Sequence, residues 1–143
     1  MIMKVLLVDD EAPFVEALAK RLAKRGATVS TAFSGQEALQ KLEEESRLDV
    51  VVLDVKMPGM DGIDTLKAIK AAHPLVEVIM LTGHATVESA IEGMKLGALD
   101  YLMKPCEMEV LLAKLQEAKD KKSKHEEKIA EARALNIALR RGD

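Results

Sequence analysis

The feature that most constrains the fold of this chain is a short apolar run followed by a stretch of helical periodicity, a unit that occurs five times. Runs this short predict strands, and helices between successive strands predict that the strands are parallel. The strands are expected at about 3–8, 27–32, 49–53, 76–81 and 99–103. The chain is therefore predicted to adopt an α/β fold around a parallel sheet.

Two of the predicted strands differ in composition, which indicates their places in the sheet. The run Val50-Val51-Val52-Leu53 is continuously apolar, as expected for a central strand that is buried on both faces. The second strand alternates polar residues such as Thr28 and Ser30 with apolar ones, which favours a sheet edge. Helix signals lie between the strands: Ser34 and Glu37 form an S-x-x-E capping box, and Asp61 can cap the third helix.

The length and charge of the chain limit its domain organisation and partners. With 143 residues, we expect one domain over 1–120 and a charged helical extension over 121–143. Residues 1–120 carry a net charge of −6 and residues 121–143 a net charge of +3. An acidic body with one Tyr and two Phe lacks the cationic surface and the stacking platforms that nucleic acids need, so we expect no direct nucleic-acid binding.

The apolar runs are too short to cross a membrane, which takes about 18 apolar residues. The acidic residues Asp9, Asp10 and Glu11 interrupt the first run too early for a signal peptide. A cytoplasmic location is therefore expected. The single cysteine, Cys106, cannot form an internal disulfide bond and is interpreted as a packing residue.

The last helical pattern begins near Glu107 and continues to about Arg141 without an internal Gly or Pro. Its heptad-like positions are Leu111, Leu115, Ala118, Lys122, His125, Ile129, Ala132, Asn136 and Leu139. Three of these positions are polar, so the coiled-coil signal is weak. Two interpretations of this segment remain open: a helix that dimerises, and a solvated helical extension that frays.

Polar residues follow the apolar runs at the carboxyl ends of four predicted strands. Asp9 and Asp10 follow the first strand, Asp54 the third, Thr82 the fourth and Lys104 the fifth. Because the carboxyl ends of parallel strands lie at one edge of a sheet, the five side chains are expected to converge. The result would be a small acidic pocket that contains one lysine.

This pocket predicts a metal ion and phosphoryl chemistry. Neighbouring carboxylates oppose joint ionisation unless a cation lies between them, and oxygen ligands favour Mg²⁺. Lys104 can pair with a carboxylate at rest or with a phosphoryl oxygen. A carboxylate beside Mg²⁺, a lysine and a hydroxyl is equipped to attack phosphorus, and the product would be an aspartyl phosphate.

Four motifs carry a family resemblance: LLVDDE, VVLDVKMPGMDG, MLTGHA and YLMKP. Together they resemble the receiver domain of bacterial two-component response regulators, of the chemotaxis-regulator type, over about residues 2–120. The resemblance implies a doubly wound, flavodoxin-like (βα)5 fold with strand order 2-1-3-4-5. It also implies phosphoryl transfer from a phosphohistidine on a sensor histidine kinase or phosphotransfer protein.

The resemblance assigns a role to each pocket residue. Asp54 resembles the phospho-acceptor, Asp10 the direct Mg²⁺ ligand and Asp9 a ligand that acts mainly through water. The backbone carbonyl of Lys56 would be the third protein ligand. Lys56 and His84 border the pocket in such domains, and their side chains are expected to control access of water to the acyl phosphate.

Further roles concern the conformational switch. Thr82 is similar to the hydroxyl that moves to the phosphoryl group, Lys104 to the lysine that pairs with it, and Pro105 to a cis-proline. Tyr101 matches the aromatic switch residue; without the resemblance it reads as a half-buried strand aromatic with its hydroxyl in water. Switching would be a population shift that remodels the face formed by helix 4, strand 5 and helix 5 for a downstream protein.

The sequence also allows other functions. A phosphohydrolase of the haloacid-dehalogenase type would need a second acid two residues after the nucleophile, where this chain has Lys56. A third interpretation is an interaction module that forms a homodimer through its tail. The 23 residues after position 120 are too few for an effector domain, so either a stand-alone regulator or a receiver fragment of a longer transcriptional regulator is expected.

Overall fold

The structure is a computed structural model that describes residues 2–45 and 47–140. Strands and helices alternate along the chain from first to last. The strands are β1 (Lys4–Val8), β2 (Thr28–Ala32), β3 (Val50–Leu53), β4 (Glu77–Thr82) and β5 (Asp100–Met103). The helices are α1 (Ala12–Ala23), α2 (Gly35–Glu44), α3 (Gly62–Ala72), α4 (Val87–Lys95) and α5 (Met108–Arg140).

All five strands are parallel and lie in the order β2-β1-β3-β4-β5. The α/β fold and the strand order expected from the sequence are both confirmed. The continuously apolar β3 lies in the middle of the sheet, where all four of its residues are buried. The half-polar β2 is an edge strand with intermediate exposure, because only one of its edges pairs with a neighbour.

The sheet separates two apolar cores, since successive residues of a strand point to opposite faces. Leu6 and Val8 of β1 belong to the core that α2 and α3 cover, whereas Val5 and Leu7 belong to the core that α1 and α5 cover. The fold is therefore doubly wound. The helix α4 contributes little to either core, because Gly93 is its only buried residue.

Local capping interactions begin the helices close to where the sequence predicts. Asp61 caps α3, with its Oδ1 accepting the Asp64 N–H at 2.9 Å. Ser34 caps α2, and its hydroxyl accepts the Glu37 N–H at 3.1 Å. The reciprocal half of that capping box differs from expectation. The Glu37 carboxylate accepts the N–H of Phe33 at 3.1 Å, one residue before the cap.

The helix α5 is continuous from the domain into the tail. Leu111, Leu115 and Ala118 are buried in the core, so these first heptad-like positions face the sheet of their own domain. Lys121 Nζ lies 3.5 Å from Oε2 of the buried Glu77. From residue 126 to residue 140 every residue is exposed. The predicted end near Arg141 lies outside the described residues.

Among the helices of residues 2–45 and 47–140, none combines the length with the apolar character that crossing a bilayer requires.

Candidate functional site

The predicted pocket residues lie at the carboxyl ends of the strands, and the sheet itself holds their backbones. The Asp9 N–H donates to the Ala32 carbonyl at 3.1 Å, and the Asp54 N–H donates to the Val8 carbonyl at 3.0 Å. Each bond continues a ladder between parallel strands by one residue. The backbones of Asp9 and Asp54, which follow β1 and β3, are therefore held by the hydrogen-bond ladders of the sheet.

Asp54 is the most deeply placed carboxylate of the pocket, with 2% of its surface exposed. Its Oδ1 accepts the Val55 N–H at 2.8 Å, which orients the carboxyl group. Burial raises the pKa of Asp54, and the negative charge of Asp9 raises it further. The Thr82 hydroxyl and the charge of Lys104 lower that pKa in part. The ionised form of Asp54 is thus short of compensating charge.

Lys104 reaches the pocket from the end of β5, and the Lys104–Pro105 peptide bond is cis. Lys104 Nζ lies 2.5 Å from Asp9 Oδ2 and 3.3 Å from Glu11 Oε1. The ring of Phe14 covers the ammonium group, with its centroid 4.0 Å from Nζ. Burial lowers the pKa of Lys104, but the hydrogen bond and charge of Asp9 outweigh this effect and raise it. Lys104 therefore remains a cation.

The carboxylates of Asp9, Glu11 and Asp54 form an acidic cluster in which one oxygen from each lies within 4.8 Å of the others. Asp10 is exposed and lines the same cavity as Glu11 and Asp54 without joining this cluster. All of these donors are oxygens, the ligand type that a hard divalent cation such as Mg²⁺ requires. The residues present therefore fit the metal that the sequence predicts, although their grouping differs from the expected one.

An open cavity of about 660 Å³ lies over the acidic cluster and gives a ligand access to Asp54. Lys56 and His84, the expected rim residues, line it and are exposed at their side chains. Sequence reasoning missed Glu11 and Ser89, which also line it. The signal for Glu11 was its position directly after the Asp pair in LLVDDE.

The two predicted switch residues lie on neighbouring strands. Thr82 is fully buried, and its hydroxyl accepts the His84 N–H at 3.0 Å. Tyr101 is half-buried, as the bare sequence indicates, but its hydroxyl is not left to water. The Tyr101 hydroxyl lies 2.6 Å from the hydroxyl of Ser89 in α4.

The sheet order and the pocket at its carboxyl edge define a flavodoxin-like α/β protein with an acidic cluster that could hold a divalent cation. A model of the response regulator receiver domain matches residues 5–116. The chain belongs to this family, the receiver domains of two-component response regulators.

Similar proteins include longer transcriptional regulators. The transcriptional regulatory protein ZraR of Escherichia coli K12 is 43% identical over 114 residues, which cover 80% of this chain and 26% of ZraR. The DNA-binding transcriptional regulator NtrC of the same organism is 38% identical over 114 residues, with coverage of 80% and 24%. This chain thus spans about a quarter of the length of these relatives.

Solved structures agree with this assignment. A response regulator receiver domain protein from Clostridium thermocellum has a TM-score of 0.81 and 38% identity, covering 85% of this chain and 97% of that one. NtrX from Brucella abortus has a TM-score of 0.82 and 30% identity, covering 89% of this chain and 29% of that one. The fold therefore occurs both in separate receiver domains and within longer regulators.

Proposed function

We propose that this receiver domain accepts a phosphoryl group on Asp54 from the phosphohistidine of a sensor histidine kinase or a phosphotransfer protein. The observation that carries the proposal is the convergence of Thr82 and Lys104 on the buried Asp54, which itself lines the open cavity. A carboxylate oxygen of Asp54 attacks phosphorus, the P–N bond breaks, and the histidine leaves. The product is an aspartyl phosphate.

The neighbours of Asp54 serve to orient it and to balance charge. The Val55 N–H fixes the carboxyl group, and Lys104 supplies a positive charge that can move from Asp9 to a phosphoryl oxygen. The hydroxyl of Thr82 is a donor for a second phosphoryl oxygen. Bound Mg²⁺ would neutralise charge on the transferring group. We further propose that the exposed side chains of Lys56 and His84 control the lifetime of the acyl phosphate through access of water.

We propose that Asp10, Asp54 and the Lys56 carbonyl bind Mg²⁺ directly and that Asp9 binds it through water. Glu11 is the competing ligand, because its carboxylate and not that of Asp10 joins the acidic cluster. Lys104 draws Glu11 toward the cluster at 3.3 Å. Because the Glu11 carboxylate pairs with Lys104, we assign Glu11 as a counter-ion of Lys104 and not as a metal ligand.

A matched pair of variants tests this ligand set. We expect Asp10→Asn to weaken Mg²⁺ binding at least tenfold, because a direct ligand loses its charge. Glu11→Gln is expected to change it less than threefold, an effect of the order that one nearby surface charge produces. Isothermal titration of each protein with MgCl2 gives the affinities. A larger loss in Glu11→Gln than in Asp10→Asn would replace Asp10 by Glu11 in the site.

We propose that the signal leaves the domain through the face formed by α4, β5 and α5. Several large apolar side chains are exposed there, which is typical of a surface that binds a protein partner. They are Val87 at 72% exposure, Ile91 at 51%, Met94 at 46%, Met103 at 65% and Val110 at 43%. The expected cytoplasmic location of the protein stays a prediction.

A second proposed function is self-association through the tail, residues 121–140 of α5. Ile129 and Leu139 lie on the heptad-like seam and are 37% and 68% exposed, while Ile137 lies off the seam and is 51% exposed. The segment is accordingly either a coiled coil between two copies or the linker helix of a longer regulator.

Light scattering with the full chain tests the seam. If the seam pairs two copies, Leu139→Asn and Ile129→Asn are expected to weaken the dimer at least tenfold, because each buries an amide in an apolar interface. Ile137→Asn is the control, since an off-seam residue should leave the dimer unchanged. A full chain that remains monomeric when its concentration is raised about 100-fold across the light-scattering series would contradict self-association.

A further inference from the structure

The hydroxyl of Tyr101 is attached to α4 through one residue. Tyr101 OH lies 2.6 Å from Ser89 Oγ, and Ser89 is the third residue of α4. One turn later, a Cβ atom at Gly93 would meet the Tyr101 ring at 3.8 Å. The tyrosine side chain thus lies along one face of α4, with its ring beside the second turn and its hydroxyl at the first.

The same serine hydroxyl completes the cap of α4. Ser89 Oγ accepts the Thr86 N–H at 3.2 Å and donates to the Thr86 carbonyl at 3.1 Å. It also lies 2.9 Å from Thr86 Oγ1. A hydroxyl has one proton and two lone pairs, so these contacts and Tyr101 together exceed what Ser89 can satisfy at once. Loss of the Tyr101 contact therefore leaves Ser89 with other hydrogen-bond partners, all of them on Thr86.

The location of Ser89 connects two parts of the molecule. Ser89 lines the cavity that contains Asp54, whereas the Tyr101 ring packs against the core on that side of the sheet. The helix α4, which carries Ser89, buries only Gly93, so few contacts hold it in place. A helix with so few buried contacts belongs to the less stable part of a fold and can shift independently of the sheet.

We propose that Ser89 is a positioning residue that ties the side-chain conformation of Tyr101 to the first turn of α4, so that ring and helix change state together. The inference rests on the proposed function of Asp54 for its trigger. The Ser89–Tyr101 bond stabilises the conformation of the unphosphorylated protein. Removal of that bond raises the population of the activated conformer before any phosphoryl group is present.

The chain offers a direct probe, because Tyr101 is its only tyrosine. Protein labelled with 3-fluorotyrosine gives one ¹⁹F resonance, which beryllofluoride with Mg²⁺ is expected to move. In Ser89→Ala we expect the resting resonance to lie part of the way toward the beryllofluoride-bound position. Beryllofluoride affinity should rise about two- to tenfold, the range that loss of one neutral hydrogen bond gives. Ser89→Thr, which keeps the hydroxyl, should restore both values.

Thr86→Ala separates this role from helix capping, because it removes a capping side chain and leaves the Ser89–Tyr101 pair intact. The proposal is overturned if Thr86→Ala reproduces the resonance shift, or if Ser89→Ala matches the wild type in both resting resonance and affinity. The resting resonance is recorded without a phosphoryl donor, so a difference between Ser89→Ala and the wild type is visible even if Asp54 does not bind beryllofluoride. Failure of the proposed function would instead leave the wild-type resonance unmoved by beryllofluoride.

Discussion

Replacement of Asp54 by asparagine is expected to abolish the Mg²⁺-dependent response to beryllofluoride and acetyl phosphate and, at the same time, to stabilise the fold. The response is lost because an amide oxygen neither attacks phosphorus nor ligates the cation as a carboxylate does. The amide oxygen can still accept the Val55 N–H, which Asp54 Oδ1 accepts at 2.8 Å. The variant therefore keeps the local backbone.

The gain in stability follows from the direction of the pKa shift. Burial raises the folded-state pKa of Asp54 above its ordinary value of 3.8, so the folded protein binds this proton more tightly than the unfolded chain. The stability that this protonated carboxyl group contributes is fully present below about pH 3.8 and is lost as pH rises through the folded-state pKa. At pH 7 the ionised carboxylate is a net cost. We expect Asp54→Asn to raise the free energy of unfolding by about 0.5–2 kcal/mol.

Urea denaturation with EDTA at pH 7 and pH 4 measures both parts of this prediction. The stability difference between Asp54→Asn and the wild type should narrow at the lower pH. Asp64→Asn is the matched control, because Asp64 is exposed in the first turn of α3. This substitution should leave the response to beryllofluoride unchanged and should change the free energy of unfolding only slightly. An Asp54→Asn protein that still responds to beryllofluoride would remove Asp54 from the mechanism.

Replacement of Gly62 by alanine is expected to destabilise the protein by about 3 kcal/mol, the upper part of the range for overpacking. A Cβ atom at Gly62 would lie 2.7 Å from Val55 Cα and would also collide with the Asp54 carbonyl oxygen. Both neighbours are backbone atoms and cannot turn aside. Because the Gly62 N–H donates to the Val55 carbonyl at 2.7 Å, movement of α3 would also disturb the segment that holds Asp54.

Gly93→Ala is the matched control for that substitution. A Cβ atom at Gly93 would meet its neighbours at 3.7–4.0 Å, which is ordinary contact. Alanine in the interior of a helix is favoured over glycine by about 0.5–1 kcal/mol. Thermal denaturation should therefore give a lower Tm for Gly62→Ala and a higher Tm for Gly93→Ala. Equal effects of the two variants would contradict the close approach of α3 to Asp54.

The sequence was sufficient to predict the sheet and the edge on which its site lies. The reason is that β3 is apolar throughout, β2 is half-polar, and each polar residue of the site lies at or just after the carboxyl end of a strand. Such signals are local, and parallel pairing makes them converge. The roles of Asp54, Thr82 and Lys104 within the pocket stay predictions until they are tested.

Contacts between distant segments could not be predicted in this way. Phe14 covers Lys104 from the first turn of α1, 90 positions earlier in the chain, and it reads as a core residue in the sequence. Glu77 lies within an apolar run and is 1% exposed, yet its carboxylate meets Lys121 at the start of the tail. Pairs of this kind depend on how helices cross the sheet, which residue patterns within one segment do not record.

The central claim is that Asp54 receives the phosphoryl group, and chemical trapping tests it most directly. The protein is incubated with acetyl phosphate and Mg²⁺ and then reduced with borohydride, which converts an aspartyl phosphate to homoserine. Peptide mass spectrometry locates the converted residue. Our account predicts homoserine at position 54 and at no other aspartate. Conversion at Asp9 or Asp10 with position 54 unchanged, or no conversion under conditions that label a known receiver domain, would contradict it.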